Sequence, residues 1–307
     1  MSEAPIGALS RDAVRQALAG PGLRFCTGPF VFNLRSPLKH VADFIGQTYR
    51  DHRLAPDDAF VDFHARVRPV RGLRSMIRAQ AVFDLDGMEP FHPLALQQAV
   101  ALTEWGMNWC IYSHAHYYLI IHGAVLERDG RAVLLPAPSG SGKSTLCAAL
   151  MLSGWRLLSD ELIIIDPQSG HIRPVCRPVS LKNESVNVIA RFSPDAEITE
   201  PIPDTSKGTV AHLKPSSESC ARDREVVLPR WVVFPRYQAG SSLQVSPVSR
   251  ANMFMALVEN AFNYHVLGRA GFELLARVAD GLEGLNAQYD DLSSVISRIN
   301  ELADRDR

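Results

Sequence analysis

The stretch Ala137-Pro138-Ser139-Gly140-Ser141-Gly142-Lys143-Ser144-Thr145 constrains this chain more than any other. An apolar run, Ala132 to Leu135, leads into it, and Leu146-Cys147-Ala148-Ala149-Leu150-Met151-Leu152 leads out, so a strand is expected to feed the loop and a helix to leave it. That order is what a phosphate-binding P-loop needs. Gly140 and Gly142 permit backbone angles closed to residues with a Cβ, so successive N–H groups can turn toward phosphate oxygens. The helix N-terminus adds the positive end of its dipole. Lys143 is expected on the β- and γ-phosphates and the Ser144 hydroxyl on Mg²⁺, while Thr145 is expected to pack or cap. Pro138, Ser139 and Ser141 complete the cradle. The strict pattern opens with glycine where this chain has Ala137, the smallest residue that keeps a Cβ. A Gly/Ser turn before an ordinary helix is the bland alternative, and the flanking runs together with Gly-Lys-Ser favour the phosphate loop.

A chain of 307 residues, 46% hydrophobic and 21% charged, is long enough for one large domain or two ordinary ones. A net charge of -1 gives no broad field for nucleic acid or an anionic membrane. No apolar run approaches the roughly 20 residues needed to span a bilayer, and Met1 to Arg15 carries early charges, so a cytoplasmic protein is expected. Cys26, Cys110, Cys147, Cys176 and Cys220 are far apart with no Cys-x-x-Cys, which suits buried apolar thiols better than a disulfide framework or zinc site.

Leu9 to Leu18 has helical spacing, stopped by Gly20-Pro21-Gly22. Strand-like pieces at Phe30–Leu34, Phe60–His64 and Ala81–Leu85 then suggest a small α+β N-terminal lobe over residues 1–93. Arg66, Arg68, Arg71, Arg74 and Arg78 crowd it, more simply as a solvated face than as an anion site. From Pro93 a helical pattern, Leu94 to Ile111, is expected to bridge into a nucleotide domain over 94–307. Tyr117 to Leu126 and Arg131 to Pro136 read as a hairpin around Glu127 to Gly130. With Leu126 opposite Ala132, His122 would face Pro136 at the loop mouth, either orienting a phosphate or carboxylate or simply hydrogen-bonded in a half-buried strand. His114 and His116 have the spacing of metal ligands but no third partner nearby.

Trp155 to Ser159 reads as a strand, and a right-handed crossover makes it parallel to the one feeding the loop. Asp160 then falls beside the phosphates, where a catalytic carboxylate is needed. Leu162–Asp166 and Ile172–Val175 form another hairpin, continuing to Lys182-Asn183. Glu197 to Ser219 reads as a surface loop, a lid or substrate loop, and Lys182, Lys207 and Lys214 are candidates to close on the γ-phosphate. Arg230–Pro235 reads as a buried strand and Ser249–Leu302 as two or more helices.

His122-Gly123, the loop Pro138 to Ser144 and Arg156-Leu157-Leu158-Ser159-Asp160-Glu161 together resemble the HPr serine kinase/phosphorylase family, most closely its HPr-kinase-related branch (kinase A). The resemblance is clear from Tyr117 to Asn183 and looser beyond. It implies an α/β P-loop fold of the type shared with phosphoenolpyruvate carboxykinase. It also implies ATP and Mg²⁺ as cofactors, with Asp160 as the base and Ser144 holding Mg²⁺ with an acid of the Asp160-Glu161 pair. The acceptor it implies is a seryl or threonyl hydroxyl on a small peptide or carrier protein. Three departures stand out: Glu161 where HPr kinase has Asp, Thr145 in place of a Glu, and no Gly-rich acidic segment near Leu181-Lys182-Asn183. The last leaves phosphorylase activity without sequence support. Two other functions fit the same motifs, a nucleotide-gated binding module without phosphoryl transfer and a kinase of a small-molecule hydroxyl, and homo-oligomerisation stays open.

Overall fold

Ser10 accepts the backbone N–H of Ala13 and so starts the first helix, α1 (Arg11–Ala19). The computed structural model describes residues 4–72, 78–138 and 140–305, so Arg74 and Ser139 lie outside the described residues. The chain continues as β1 (Leu23–Thr27), β2 (Phe30–Arg35), α2 (Lys39–Thr48), β3 (Phe63–Pro69), β4 (Gln80–Leu85) and β5 (Leu94–Ala95), the five strands forming one sheet in that order. In β3 the side chains of Phe63, Ala65 and Val67 are buried while His64 and Arg66 face solvent, the period of two that a one-sided sheet dictates. Arg68 pairs with Glu89 at 2.6 Å, and Arg71 and Arg78 are exposed, so the described arginines of the cluster lie on an open face. The strand anticipated at Phe60 starts three residues later, and the Phe60 ring is 83% exposed.

The helix expected from Pro93 begins instead at Ala99, as α3 (Ala99–His114). Leu94 and Ala95 are held away from helical geometry because they pair with Ala81 and Gln80. Helix α3 lies close on the first sheet: a Cβ added to Gly106 would meet the Phe83 ring at 2.1 Å. Its buried residues share one core with that sheet.

Next come β6 (Leu119–Arg128), β7 (Arg131–Pro136), α4 (Lys143–Leu152), β8 (Arg156–Ser159), β9 (Leu162–Ile165) and β10 (Ile172–Arg173). Asp129 and Gly130, both at positive φ, make a two-residue turn that twists with its strands. This corrects the expected register: Leu126 opposes Val133, and Gly123, not His122, opposes Pro136. On its other side β6 pairs with both β8 and β9, so His122 is matched with Leu162. Since β8 and β7 are each antiparallel to β6, β8 runs in the direction of β7, as the crossover required.

The remaining elements are β11 (Val179–Lys182), α5 (Glu184–Phe192), β12 (Ile202–Thr205), β13 (Gly208–Leu213), α6 (Ser217–Ala221), β14 (Leu228–Tyr237), β15 (Gln244–Pro247), α7 (Arg250–Glu259), α8 (Tyr264–Asp280), β16 (Glu283–Tyr289) and α9 (Leu292–Arg305). The surface loop read over 197–219 is thus a hairpin, and β13 pairs with β11 and β12 in a three-stranded sheet. The large sheet runs β10-β9-β6-β7-β14-β16-β15, with β14 parallel to both β7 and β16. Along β7, Val133 and Leu135 pack in the core with α4 and α9, and Ala132 and Leu134 in the core with α7 and α8. A sheet covered on both faces reads as a continuous apolar run for this reason. The architecture is mixed α/β, and no helix among the described residues is long and apolar enough to cross a membrane. All five cysteines are buried.

A buried ionic cluster ties the two ends of the first core to the chain that follows. Arg177 Nη2 donates to Glu104 Oε2 at 2.6 Å, Nη1 to Asn108 at 2.8 Å and Nε to Tyr49 Oη at 3.2 Å, while Tyr49 Oη donates to Glu104 at 2.6 Å.

Candidate functional site

Two left-handed glycines shape the loop between β7 and α4. Gly140 has φ +88° and Gly142, the residue before α4, has φ +91°, a region that costs a residue with a Cβ about 1–3 kcal/mol. At Gly142 the space is closed as well, since an added Cβ would stand 3.0 Å from Tyr237 Cβ and 3.2 Å from Tyr289 Oη. The Tyr237 N–H donates to Ser141 O at 3.0 Å, so the loop leans on the carboxyl ends of β14 and β16. It opens on a cavity of about 610 Å³ lined by Pro138, Gly140, Gly142, Lys143, Ser144 and Thr145. The first N–H groups of α4 have no partner within the helix, which makes this end of the cavity suited to anions. Ser141 Oγ is buried without a hydrogen-bond partner, and Thr145 Oγ1 donates to Ser185 at 2.9 Å, fastening α4 to α5.

Behind the loop lies a compact set of opposite charges. Lys143, 6% exposed, donates from Nζ to Asp160 O at 3.3 Å and stands 3.3 Å from His122 Nε2. His122 Nε2 is 3.2 Å from Glu161 Oε2, and Lys182 Nζ is 3.6 Å from Glu161 Oε1. Burial alone would raise the Glu161 carboxyl, but the His122 hydrogen bond and the charges of Lys143 and Lys182 outweigh it and hold it well below the usual carboxylate range. Glu161 is therefore ionised at neutral pH.

Asp160 is placed differently from the expectation. Its side chain turns inward, 4% exposed, with Oδ2 accepting the Ser180 N–H at 3.1 Å and Oδ1 without a partner. It borders a cavity of about 20 Å³ rather than the large one. Burial and the neighbouring Glu161 charge raise its carboxyl above the ordinary value. The acid that faces the lysines is its neighbour.

A second cavity of about 520 Å³ adjoins the first, and His122, Ser206 and Lys207 line both. Glu161 lines the second. Ser206 and Lys207 form the tip of the β12–β13 hairpin, closed by Thr205 Oγ1, which accepts the Lys207 N–H at 3.1 Å. Lys207 Nζ stands 5.1 Å above the Trp105 ring, and burial lowers its pKa from the usual lysine value.

The structure thus brings together His122, Pro138, Gly140, Gly142, Lys143, Ser144, Thr145, Lys182 and Lys207. It separates Lys214, which pairs with Asp51 at 2.6 Å, from the other clamp candidates. His114 is spent on Cys110 O at 3.0 Å, and among the described residues no three His, Cys, Asp or Glu side chains gather as a metal site. Of the expected trio, Ser144 lines the large cavity, Asp160 the small one, and Glu161 the small one and the second chamber. Sequence reading missed Tyr237, Tyr289 and Asp290, which line the large cavity beside Gly142 from strand ends and a loop with no local signature. Asn183 was within reach: its φ of +51° and its side chain's acceptance of the Thr209 N–H at 3.1 Å mark a constrained bend after Lys182.

The profile of the family described as SynChlorMet cassette protein ScmC matches residues 94–179, the stretch from β5 to the start of β11. Among solved structures, the HPr(Ser) kinase/phosphatase from Coxiella burnetii is similar over 61% of this chain and 98% of that one, at 13% identity and a TM-score of 0.25. At that score the likeness carries no weight. No curated protein matches the chain.

Proposed function

We propose that this chain is an ATP- and Mg²⁺-dependent kinase, built as a P-loop domain over residues 94–307 with a lobe over 1–93, that transfers the γ-phosphoryl group to a seryl or threonyl hydroxyl of a peptide or small carrier protein. The observation that carries this reading is the meeting of two cavities at one ion cluster: an anion cradle with Lys143 on one side, and a second chamber bordered by Glu161 on the other. The residues fit a nucleotide's phosphates, because Gly140 and Gly142 open the backbone, and Lys143 and Lys182, which line the cavity, supply charge. Mg²⁺, when bound, neutralises charge on the phosphate oxygens; the Ser144 hydroxyl would hold it, with phosphate oxygens and water completing the shell.

The chain's own residues do the rest. Lys143 leaves His122 and Glu161 to meet the β- and γ-phosphates, and His122 keeps Glu161 in place through Nε2–H. The acceptor oxygen attacks phosphorus, the bond to the bridging oxygen of ADP breaks, and the acceptor proton passes to the Glu161 carboxylate. Asp160 is turned inward and Glu161 borders the second chamber, which supports assigning the base role to Glu161 in place of Asp160. Isothermal titration of MgATP against the wild type and Lys143→Ala tests the cradle, with binding expected in the first and clearly weakened in the second. Unchanged affinity in the variant would remove the reading.

A further inference from the structure

The chamber beyond Glu161 is walled by aromatic rings. Phe91, Trp105, Tyr112 and Phe262 line it, Tyr112 and Phe262 stacked at 4.5 Å with planes 10° apart. These rings come from distant parts of the chain: Phe91 from before β5, Trp105 and Tyr112 from α3, and Phe262 from the link between α7 and α8. Glu161 is the one acid and Lys207 the one lysine lining it among the described residues, and Lys207 also borders the phosphate cavity. The residues shared with the phosphate cavity, His122, Ser206 and Lys207, are polar, and the rest of the lining is mostly apolar, with His92 and Asn108 the polar side chains besides Glu161. A volume of about 520 Å³ falls within the roughly 300–1,000 Å³ that encloses ligands of drug size, far more than a serine side chain fills.

We infer that this chamber is the acceptor subsite and that it selects a peptide whose phosphorylated serine or threonine is flanked by an aromatic side chain. The inference rests on the kinase reading given above. The flanking ring would lie among Phe91, Trp105 and Phe262, where edge and face contacts between rings add to the gain from area burial. An acidic flanking residue would exchange its water for few donors, because the wall offers no arginine, Lys207 is shared with the phosphate cavity, and the other nitrogen donors of side chains in polar residues lining it are His92, Asn108 and His122. Seating the ring holds the adjacent hydroxyl toward Glu161 and the phosphate cavity. The lobe before β5 thereby acquires a task in substrate choice, through Phe91.

The test uses the full chain and two acetylated tetrapeptide amides that differ only in the residue after a central serine, phenylalanine in one and aspartate in the other. Phosphate incorporation is read by mass, and peptide binding without nucleotide by tryptophan fluorescence, since Trp105 lines the chamber. The phenylalanine peptide is expected to have at least about tenfold higher kcat/KM, and Phe91→Ala and Phe262→Ala to raise its KM or Kd about tenfold while MgATP affinity stays unchanged, with circular dichroism confirming the fold of each. Two different variants guard against one failing to fold. Equal use of both peptides, or binding insensitive to both variants, overturns the inference while leaving the kinase reading standing. Phosphorylation of phenylethanol with neither peptide used overturns the peptide assignment. Loss of MgATP binding in the wild type is the separate result that removes the kinase reading itself.

Discussion

His122 Nε2 lies 3.2 Å from Glu161 Oε2. The same nitrogen is 3.3 Å from Lys143 Nζ, and one nitrogen cannot both donate to the carboxylate and accept from the ammonium. A phosphate that draws Lys143 away resolves the competition in favour of the His122–Glu161 bond. On the proposed kinase reading, arrival of the nucleotide would thus also align the carboxylate.

Lys143→Ala removes charge-assisted hydrogen bonds of about 1.5–3 kcal/mol to the phosphates, so the Kd for MgATP should rise roughly tenfold to a hundredfold. Isothermal titration measures it. A Kd within twofold of wild type would dismiss the cradle.

Glu161→Gln keeps the shape of the wall and removes the proton acceptor. kcat should fall by about 10²- to 10⁴-fold while MgATP still binds. Asp160→Asn, altering an inward carboxylate, should retain kcat within about tenfold. Steady-state kinetics on both variants decides between the two acids, and the reverse ranking would return the base role to Asp160.

The raised carboxyl of Asp160 has a consequence for stability. Burial first, and then the Glu161 charge, make the folded chain hold this proton to higher pH than the unfolded chain does. Its contribution is fully present below the unfolded value near 3.8 and is lost as pH rises through the folded value. Asp160→Asn removes that dependence, so denaturant midpoints of variant and wild type should shift in the variant's favour between pH 4.5 and pH 8. A difference that stays flat or moves the other way would contradict the assignment.

Arg177→Met should cost about 3–5 kcal/mol, because it strands the buried Glu104 carboxylate and the Tyr49 hydroxyl. Urea unfolding monitored by circular dichroism checks it. A loss below about 1 kcal/mol would mean that the cluster contributes little.

The loop, α4, the direction of β8 and both hairpins around the site were legible because each is written in short-range spacing. The β6–β7 register was not, because setting Leu126 opposite Ala132 instead of closing the turn on the pair Asp129-Gly130 moves every partner by one. Which of Asp160 and Glu161 faces the lysines was also hidden, since it turns on where β8 ends and how the chain bends before Leu162. Lys207 reached the site on a hairpin whose first strand, Ile202–Thr205, contains Pro203 and Asp204 and so reads as loop. Strand β16 carries Glu283, Asn286 and Gln288 among its few apolar residues and was submerged in the helical patterns read over Ser249–Leu302.

The parallel placement of β14 between β7 and β16 fixes a timetable for the newborn chain. When Gly142 leaves the ribosome, the strand before it has β6 on one side and an open edge on the other, and the tyrosines its loop rests on, Tyr237 and Tyr289, have yet to be made. On the proposed reading, nucleotide capture by the loop would wait for almost the whole polypeptide. Premature stops after α4 should therefore yield fragments with an unpaired apolar strand and no grip on nucleotide, species that proteases and chaperones would meet before any substrate does.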